Sequence, residues 1–143
     1  MNVETILRNK GSWVATIRPD ATIAEAIETL NRERIGALVV SEDGHSVDGV
    51  LSERDIVIAL GGHGAGLLSR SVDEIMTRNI VTCDPADTVQ DLMAEMTNRR
   101  FRHFPVVKDG SLCGIISIGD LVKNRLDEVE FEANSLRSFI AGV

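Results

Sequence analysis

Apolar positions along the chain alternate between two periods, and the alternation occurs twice. Ile23, Ala26, Ile27 and Leu30 are spaced i, i+3, i+4, i+7, the stripe of an amphipathic helix, and Val89, Leu92, Met93 and Met96 repeat that spacing. Thr22 with Glu25, and Thr88 with Asp91, stand three apart at the head of these stripes and predict capping boxes. Short apolar runs predict strands at Trp13–Ile17 and Ile80–Cys83, each leading into a proline turn. Beyond each helix two more strands are predicted. Ala37–Val40 and Val47–Leu51 flank Ser41–Ser46, and Phe104–Val107 and Leu112–Ser117 flank a tighter Asp109-Gly110 turn, a strong hairpin signal. A second helix is expected directly after Ser52 and again after Ser117.

The chain is therefore an internal repeat. Thr16-Ile17-Arg18-Pro19 recurs as Thr82-Cys83-Asp84-Pro85, and Asp43-Gly44 as Asp109-Gly110, both at an offset of 66 residues. Gly49-Val50-Leu51-Ser52-Glu53-Arg54-Asp55 recurs as Gly114-Ile115-Ile116-Ser117-Ile118-Gly119-Asp120 at an offset of 65, so one turn differs by a residue. Val3–Leu7 matches Val72–Met76 at an offset of 69, so the first copy carries three extra residues near Asn9–Trp13. Each β-α-β-β-α unit, roughly 55–60 residues, is marginal alone, and two packed sheet to sheet would share one continuous core. The expected division is residues 1–62, a Gly-rich linker 63–71, residues 72–126, and a helical extension 127–143. Gly61-Gly62-His63-Gly64-Ala65-Gly66 follows a helix and lacks a Gly-Lys-Ser/Thr, so it reads as a flexible connection or a frayed helix end rather than a phosphate loop.

Composition narrows the function classes. With 43% hydrophobic and 26% charged residues the 143-residue chain is globular. No apolar run approaches the roughly 20 residues of a membrane span, and Met1-Asn2-Val3-Glu4 has no signal-peptide character, so a soluble, cytoplasmic protein without membrane contact is expected. Fifteen Lys+Arg against 22 Asp+Glu give a net charge of −7, which disfavours nucleic acid as a partner. Four Phe, one Trp and no Tyr offer no base-stacking platform. Cys83 and Cys113 have no partner at metal or disulfide spacing and are expected to be buried and reduced; no metal site is expected.

The strongest local chemistry is the paired Gly-h-h-Ser-x-x-Asp, with h a branched aliphatic. A strand ends on Ser52 or Ser117 and the Asp falls in the first turn of the next helix. Such a Ser and Asp suit helix capping. They also place N–H donors, a hydroxyl and a carboxylate together, a set fit for phosphate and for the vicinal hydroxyls of a ribose.

These motifs, in this order and twice over, resemble a tandem pair of cystathionine-β-synthase (CBS) domains, the Bateman module, across roughly Val3 to Leu126. The matching residues are the Thr-x-x-Pro-x-x-Thr turns, Ile35-Gly36-Ala37-Leu38-Val39-Val40 with Phe101-Arg102-His103-Phe104-Pro105-Val106, and the Ser-Glu-Arg-Asp and Ser-Ile-Gly-Asp endings. More narrowly, the chain is similar to small stand-alone bacterial CBS-pair proteins. It implies an α+β fold: two β-α-β-β-α repeats packed through their sheets with pseudo-two-fold symmetry, plus a C-terminal helix. It implies a non-catalytic module that binds AMP, ADP, ATP or NAD(H) as regulatory ligand, with no catalytic cofactor, and that signals energy or redox state to an effector protein. On the family pattern Asp55 and Asp120 hold ribose. Ser52, Arg54, Ser117, Gly119, Arg102 and His103 lie near phosphate, and Ile118 lines the ligand between Ser117 and Gly119. Thr16, Ile17, Ile35, Gly36, Ala37, Thr82, Phe104 and Pro105 flank the adenine.

The two copies differ. Gly36-Ala37 stands where the second copy has Arg102-His103, and Arg54 where it has Gly119, so two clefts of unequal affinity or ligand are expected. Val122, Leu126, Val129, Ala133, Leu136 and Ile140 form a heptad-like stripe; the resemblance implies a homodimer, and whether this helix makes the contact or packs on the protein's own core is open. No nucleophile stands beside a base, which argues against an enzyme. A structural dimerisation module whose Ser-x-x-Asp pairs are only helix caps is the alternative.

Overall fold

A computed structural model describes residues 1–142. In chain order the elements are α1 (Val3–Lys10), β1 (Thr16–Ile17), α2 (Ile23–Glu33), β2 (Ala37–Val40), β3 (Gly49–Ser52), α3 (Glu53–His63), a 3-10 helix (Gly64–Ser69), α4 (Val72–Ile75), α5 (Val89–Arg99), β4 (His103–Lys108), β5 (Ser111–Ser117) and α6 (Ile118–Ala141). β2 lies between parallel β1 and antiparallel β3, and β4 pairs antiparallel with β5.

Local signals set most boundaries. Thr22 accepts from the Glu25 N–H and its own N–H donates to the Glu25 carboxylate, so the first predicted box forms. At α5 only half forms: Thr88 Oγ1 accepts from the Asp91 N–H, without a reciprocal bond. Asp109 and Gly110 both have positive φ, 52° and 77°, as a two-residue hairpin turn requires. The longer first turn is built on Asp43, whose carboxylate accepts the N–H groups of His45 and Ser46 at 2.8 Å.

The first strand of the second repeat is shorter than expected. Only Cys83 bridges, in parallel, to Val106, and Ile80–Cys83 forms no full strand. Proline accounts for the lost rung. In the first repeat Val39 N–H donates to Ala15 O at 3.1 Å and Ser41 N–H to Ile17 O at 2.9 Å. The second repeat keeps the Val107 N–H to Cys83 O bond at 2.9 Å, but the counterpart of Val39 is Pro105, which has no N–H to give.

The expected single core is instead two. Ile23, Ala26 and Leu30 of α2 close over Leu38, Val40 and Leu51, while Val89, Leu92 and Met96 of α5 close over Phe104, Val106 and Ile116. Each core is completed by a segment that precedes the other repeat in sequence. Val3 and Ile6 of α1 enter the second core, and Leu67, Val72 and Met76 enter the first. Backbone bonds fix this exchange: Val3 N–H to Asp87 O at 2.9 Å, and Val72 N–H to Ala21 O at 2.8 Å. Strand alternation turns the opposite faces toward the other repeat. Ala37, Val39 and Val50 are buried yet belong to neither core, and Pro105 is buried on the corresponding face of β4. These faces form the layer between repeats.

Two segments differ from the sequence expectation. α3 runs through Gly61 and Gly62, and the 3-10 helix after it buries Leu67 completely, so the glycine-rich stretch is an ordered connection. α6 is one helix of 24 residues, and its stripe does not pack on the core: Leu126, Leu136 and Ile140 are 60% or more exposed, and only Leu121 of the helix is buried. Glu128, expected on a solvated face, is half-buried beside the N-terminal ammonium. Cys83 is buried, with its thiol pushed up to about 12 by burial, and Cys113 is half-buried.

Candidate functional site

Both Ser-x-x-Asp motifs form complete capping boxes. Asp55 Oδ2 accepts from Ser52 N–H at 2.9 Å and Asp120 Oδ2 from Ser117 N–H at 2.9 Å, and each serine Oγ accepts from the aspartate N–H at 3.2 Å. The first N–H of each helix is also used: Glu53 donates to Gly36 O and Ile118 to Arg102 O, each at 2.9 Å. Each cap therefore docks the helix start of one hairpin onto the strand entry beside it. Each also leaves one carboxylate oxygen outside the box.

That outer oxygen is engaged in the first copy and left open in the second. Asp55 Oδ1 accepts from Thr77 Oγ1 at 3.0 Å, and the backbone of Thr77 pairs with Val50 in both directions, at 2.9 and 3.0 Å. At the second copy a side chain replaces this backbone pairing. Lys10 Nζ donates to Ile115 O, the counterpart of Val50 O, at 2.8 Å, and to Asp120 Oδ2 at 2.6 Å. Among the described residues no donor reaches Asp120 Oδ1. Burial works against ionisation of Asp120, but the bonds from Lys10 and Ser117 outweigh it and hold its carboxyl below the ordinary value.

Beside this pair opens a cleft of about 410 Å³ between the repeats, inside the usual range for small-molecule sites of roughly 300–1,000 Å³. The first repeat contributes Ile35, Gly36 and Ala37, and the second His103, Ser117, Ile118 and Gly119. These predicted residues are brought together as a single wall. Lys10, Trp13, Val14, Ala15 and Ile115 complete it and were missed. The one signal for them was the three extra residues near Asn9–Trp13, which mark the crossing from α1 on one repeat to β1 on the other. Asp120 lines a second cavity of about 100 Å³ that shares Lys10 with the main cleft. Burial pushes the His103 imidazole below its ordinary value, Lys10 adds to this, and Asp120 and Glu53 act against it. His103 is therefore neutral at pH 7.

The other predicted residues lie elsewhere. Phe104 is 1% exposed in the second core, because alternation along β4 sends it opposite to His103 and Pro105. Thr16 and Thr82 are exposed, and Ile17 packs against the first core. Arg102 and Arg54 are exposed, and Ser52 and Asp55 stand at the start of α3, on the opposite copy of the motif. Among the described residues no group of three or more His, Cys, Asp or Glu is arranged to hold a metal ion, and no helix is long and apolar enough to cross a membrane.

The fold and these two related helix starts define a class of paired-repeat modules. The CBS domain family model matches residues 14–62 and 72–127, and the chain belongs to that family. It is 34% identical over 136 residues to the mitochondrial CBS domain-containing protein CBSX3 of Arabidopsis thaliana, covering 92% of this chain and 66% of that one. The chain thus spans about two thirds of that relative. The crystal structure of the CBS-domain containing protein ATU1752 from Agrobacterium tumefaciens is similar at a TM-score of 0.84 and 47% identity, over 87% of this chain and 99% of that one. The CBS domain pair of protein MJ0100, solved with 5′-methylthioadenosine and S-adenosyl-L-methionine, shares the fold at a TM-score of 0.78 and 24% identity, over 90% and 98% of the chains. CBS-pair proteins are regulatory modules.

Proposed function

We propose that this CBS pair is a non-catalytic sensor that binds an adenine nucleotide (AMP, ADP, ATP or NAD(H)) in the cleft between its repeats and reports it to an effector protein. The observation that carries this reading is Asp120: an ionised carboxylate with Oδ1 unengaged, beside a mostly apolar 410 Å³ cleft. A carboxylate accepts two hydroxyls, an apolar wall accepts a purine face, and the N–H of Gly119 remains at the helix start for an anion. The adenosyl ligands of MJ0100 support the same ligand class. Because the two repeats meet at the cleft, a ligand held by both biases their relative tilt by its differential affinity for the two arrangements. The test is an NMR titration of the 15N-labelled protein with AMP. Shifts centred on Ile35–Ala37, His103 and Ser117–Asp120 fit the reading. A spectrum unchanged at millimolar AMP opposes it.

The exposed stripe on α6 favours a second reading, a module whose task is self-association. Val57 on α3 and Val122 on α6 expose apolar side chains at corresponding places in the two repeats, and Ile58 and Leu126 are exposed on the same two helices. A homodimer through these helices is compatible with a nucleotide-filled cleft, so the two roles are separable by experiment.

A further inference from the structure

The geometry points to Lys10 as the group that makes this cleft prefer an adenosine carrying a phosphate over one carrying an uncharged substituent; the inference rests on the adenosine reading above. Lys10 lines both the main cleft and the small cavity that holds Asp120. Its ammonium has three donors. One is spent on Ile115 O at 2.8 Å and one on Asp120 Oδ2 at 2.6 Å, so one is left. Among the described residues Lys10 is also the single permanently cationic side chain on the cleft wall, since His103 is kept neutral by burial and Arg102 is exposed outside it. The acidic groups near the wall are Asp120, already engaged, and Glu53, which stands beyond Gly36 and lines a different cavity. A phosphate in the cleft has Lys10 on the wall as its cationic partner. Drawing the ammonium toward the phosphate loosens its hold on Asp120, so the anion and the ribose hydroxyls cooperate: one takes the cation, the others take the carboxylate it leaves. An uncharged 5′ substituent gives Lys10 nothing in exchange. At the opposite copy no lysine or arginine among the described residues contacts Asp55, whose outer oxygen Thr77 takes by its hydroxyl beside the backbone pairing with Val50. Selectivity for phosphate is thus built into one side of the molecule alone.

The experiment compares dissociation constants for AMP and 5′-methylthioadenosine, read from quenching of the sole tryptophan, Trp13, which lies 62% exposed at the cleft mouth. The proteins are wild type, Lys10→Met and Lys10→Arg, each checked for an unchanged far-UV spectrum, with calorimetry as the second readout. A charge-assisted hydrogen bond predicts that wild type prefers AMP by about ten-fold or more. Lys10→Met should bring the two ligands within about three-fold of each other, chiefly by weakening AMP, and Lys10→Arg should keep the preference. Equal binding of both ligands by wild type, or a preference that survives in Lys10→Met, overturns the inference and leaves the adenosine reading standing. Failure of wild type to bind either ligand overturns the inference, and the adenosine reading falls with it when ADP, ATP, NAD and NADH fail as well.

Discussion

Lys10 Nζ lies 2.6 Å from Asp120 Oδ2, a contact between the first helix of the chain and the first turn of the last. The two residues are 110 apart in sequence. The contact exists because α1 belongs to the second core rather than to the repeat it precedes, with Val3 and Ile6 packed among Val89, Phe104 and Leu121. This exchange brings a cation from before the first repeat to the carboxylate of the second.

The first prediction concerns stability. The Lys10 and Asp120 side chains are 32% and 23% exposed, so the pair is partly screened. Lys10→Met should cost on the order of 1 kcal/mol in urea unfolding. A loss well above that would mean that the lysine holds α1 in place rather than tuning the cleft.

Acid should act through Asp120. Its folded value is lowered from 3.8, so its contribution is complete above the unfolded value and is lost as pH falls through the folded one. Unfolding free energy followed between pH 5 and pH 2 should therefore drop less for Asp120→Asn than for wild type. Parallel curves would contradict this.

His103 titrates in the opposite sense. Its folded value lies below 6.5 because it is buried beside Lys10. A bound phosphate would favour the imidazolium, so AMP affinity should rise as pH falls from 7.5 to 5.5, with proton uptake visible as a buffer-dependent heat. His103→Gln should flatten that dependence. A profile identical in the two proteins would exclude His103 from the site.

The seating of the exchanged segments can be tested at two related glycines. A Cβ on Gly49 would stand 2.7 Å from the carbonyl oxygen of Thr77 and 3.0 Å from Met76 Sδ. A Cβ on Gly114 would stand 2.7 Å from Leu7 Cδ2, the tip of a side chain that can rotate. Gly49→Ala should cost roughly 1–3 kcal/mol and Gly114→Ala clearly less. The reverse order in thermal unfolding would show that the Thr77 backbone yields more easily than Leu7.

Self-association is tested on α6. Leu126→Glu with Val129→Glu changes two side chains that are 63% and 45% exposed, so the fold should persist. Sedimentation should give a dimer for wild type and a monomer for the variant. A monomeric wild type would remove the dimer.

The parts of this structure that are legible in the sequence are those set by neighbours in the chain. Thr22 and Glu25, Ser52 and Asp55, and Ser117 and Asp120 satisfy N–H groups three residues away, so spacing alone finds them. Asp109-Gly110 likewise carries its own turn geometry. The parts that are not legible depend on partners distant in sequence. Val3–Leu7 and Val72–Met76 match each other, but no local signal says that each completes the core of the other repeat. Lys10 looks like an ordinary last-turn helix cation until that exchange puts Asp120 beside it. Gly61 and Gly62 suggest a break, yet the burial of Leu67 just beyond them holds the segment ordered. The missing strand at Ile80–Cys83 was visible in principle, since Pro105 stands where a donor is needed, but only once the register of β4 is known.

The central claim is that an adenine nucleotide binds between the repeats at the aspartate-headed helix starts, and that Asp120 heads the open site. The most direct measurement is a calorimetric titration of ligand-stripped protein with AMP, ADP, ATP, NAD and NADH, repeated on Asp120→Ala and Asp55→Ala. The account predicts saturable binding of at least one of the five, abolished or weakened at least ten-fold by Asp120→Ala and affected less by Asp55→Ala. No heat with any ligand up to millimolar concentration, or binding that Asp120→Ala leaves intact, would contradict it and leave the two aspartates as helix caps.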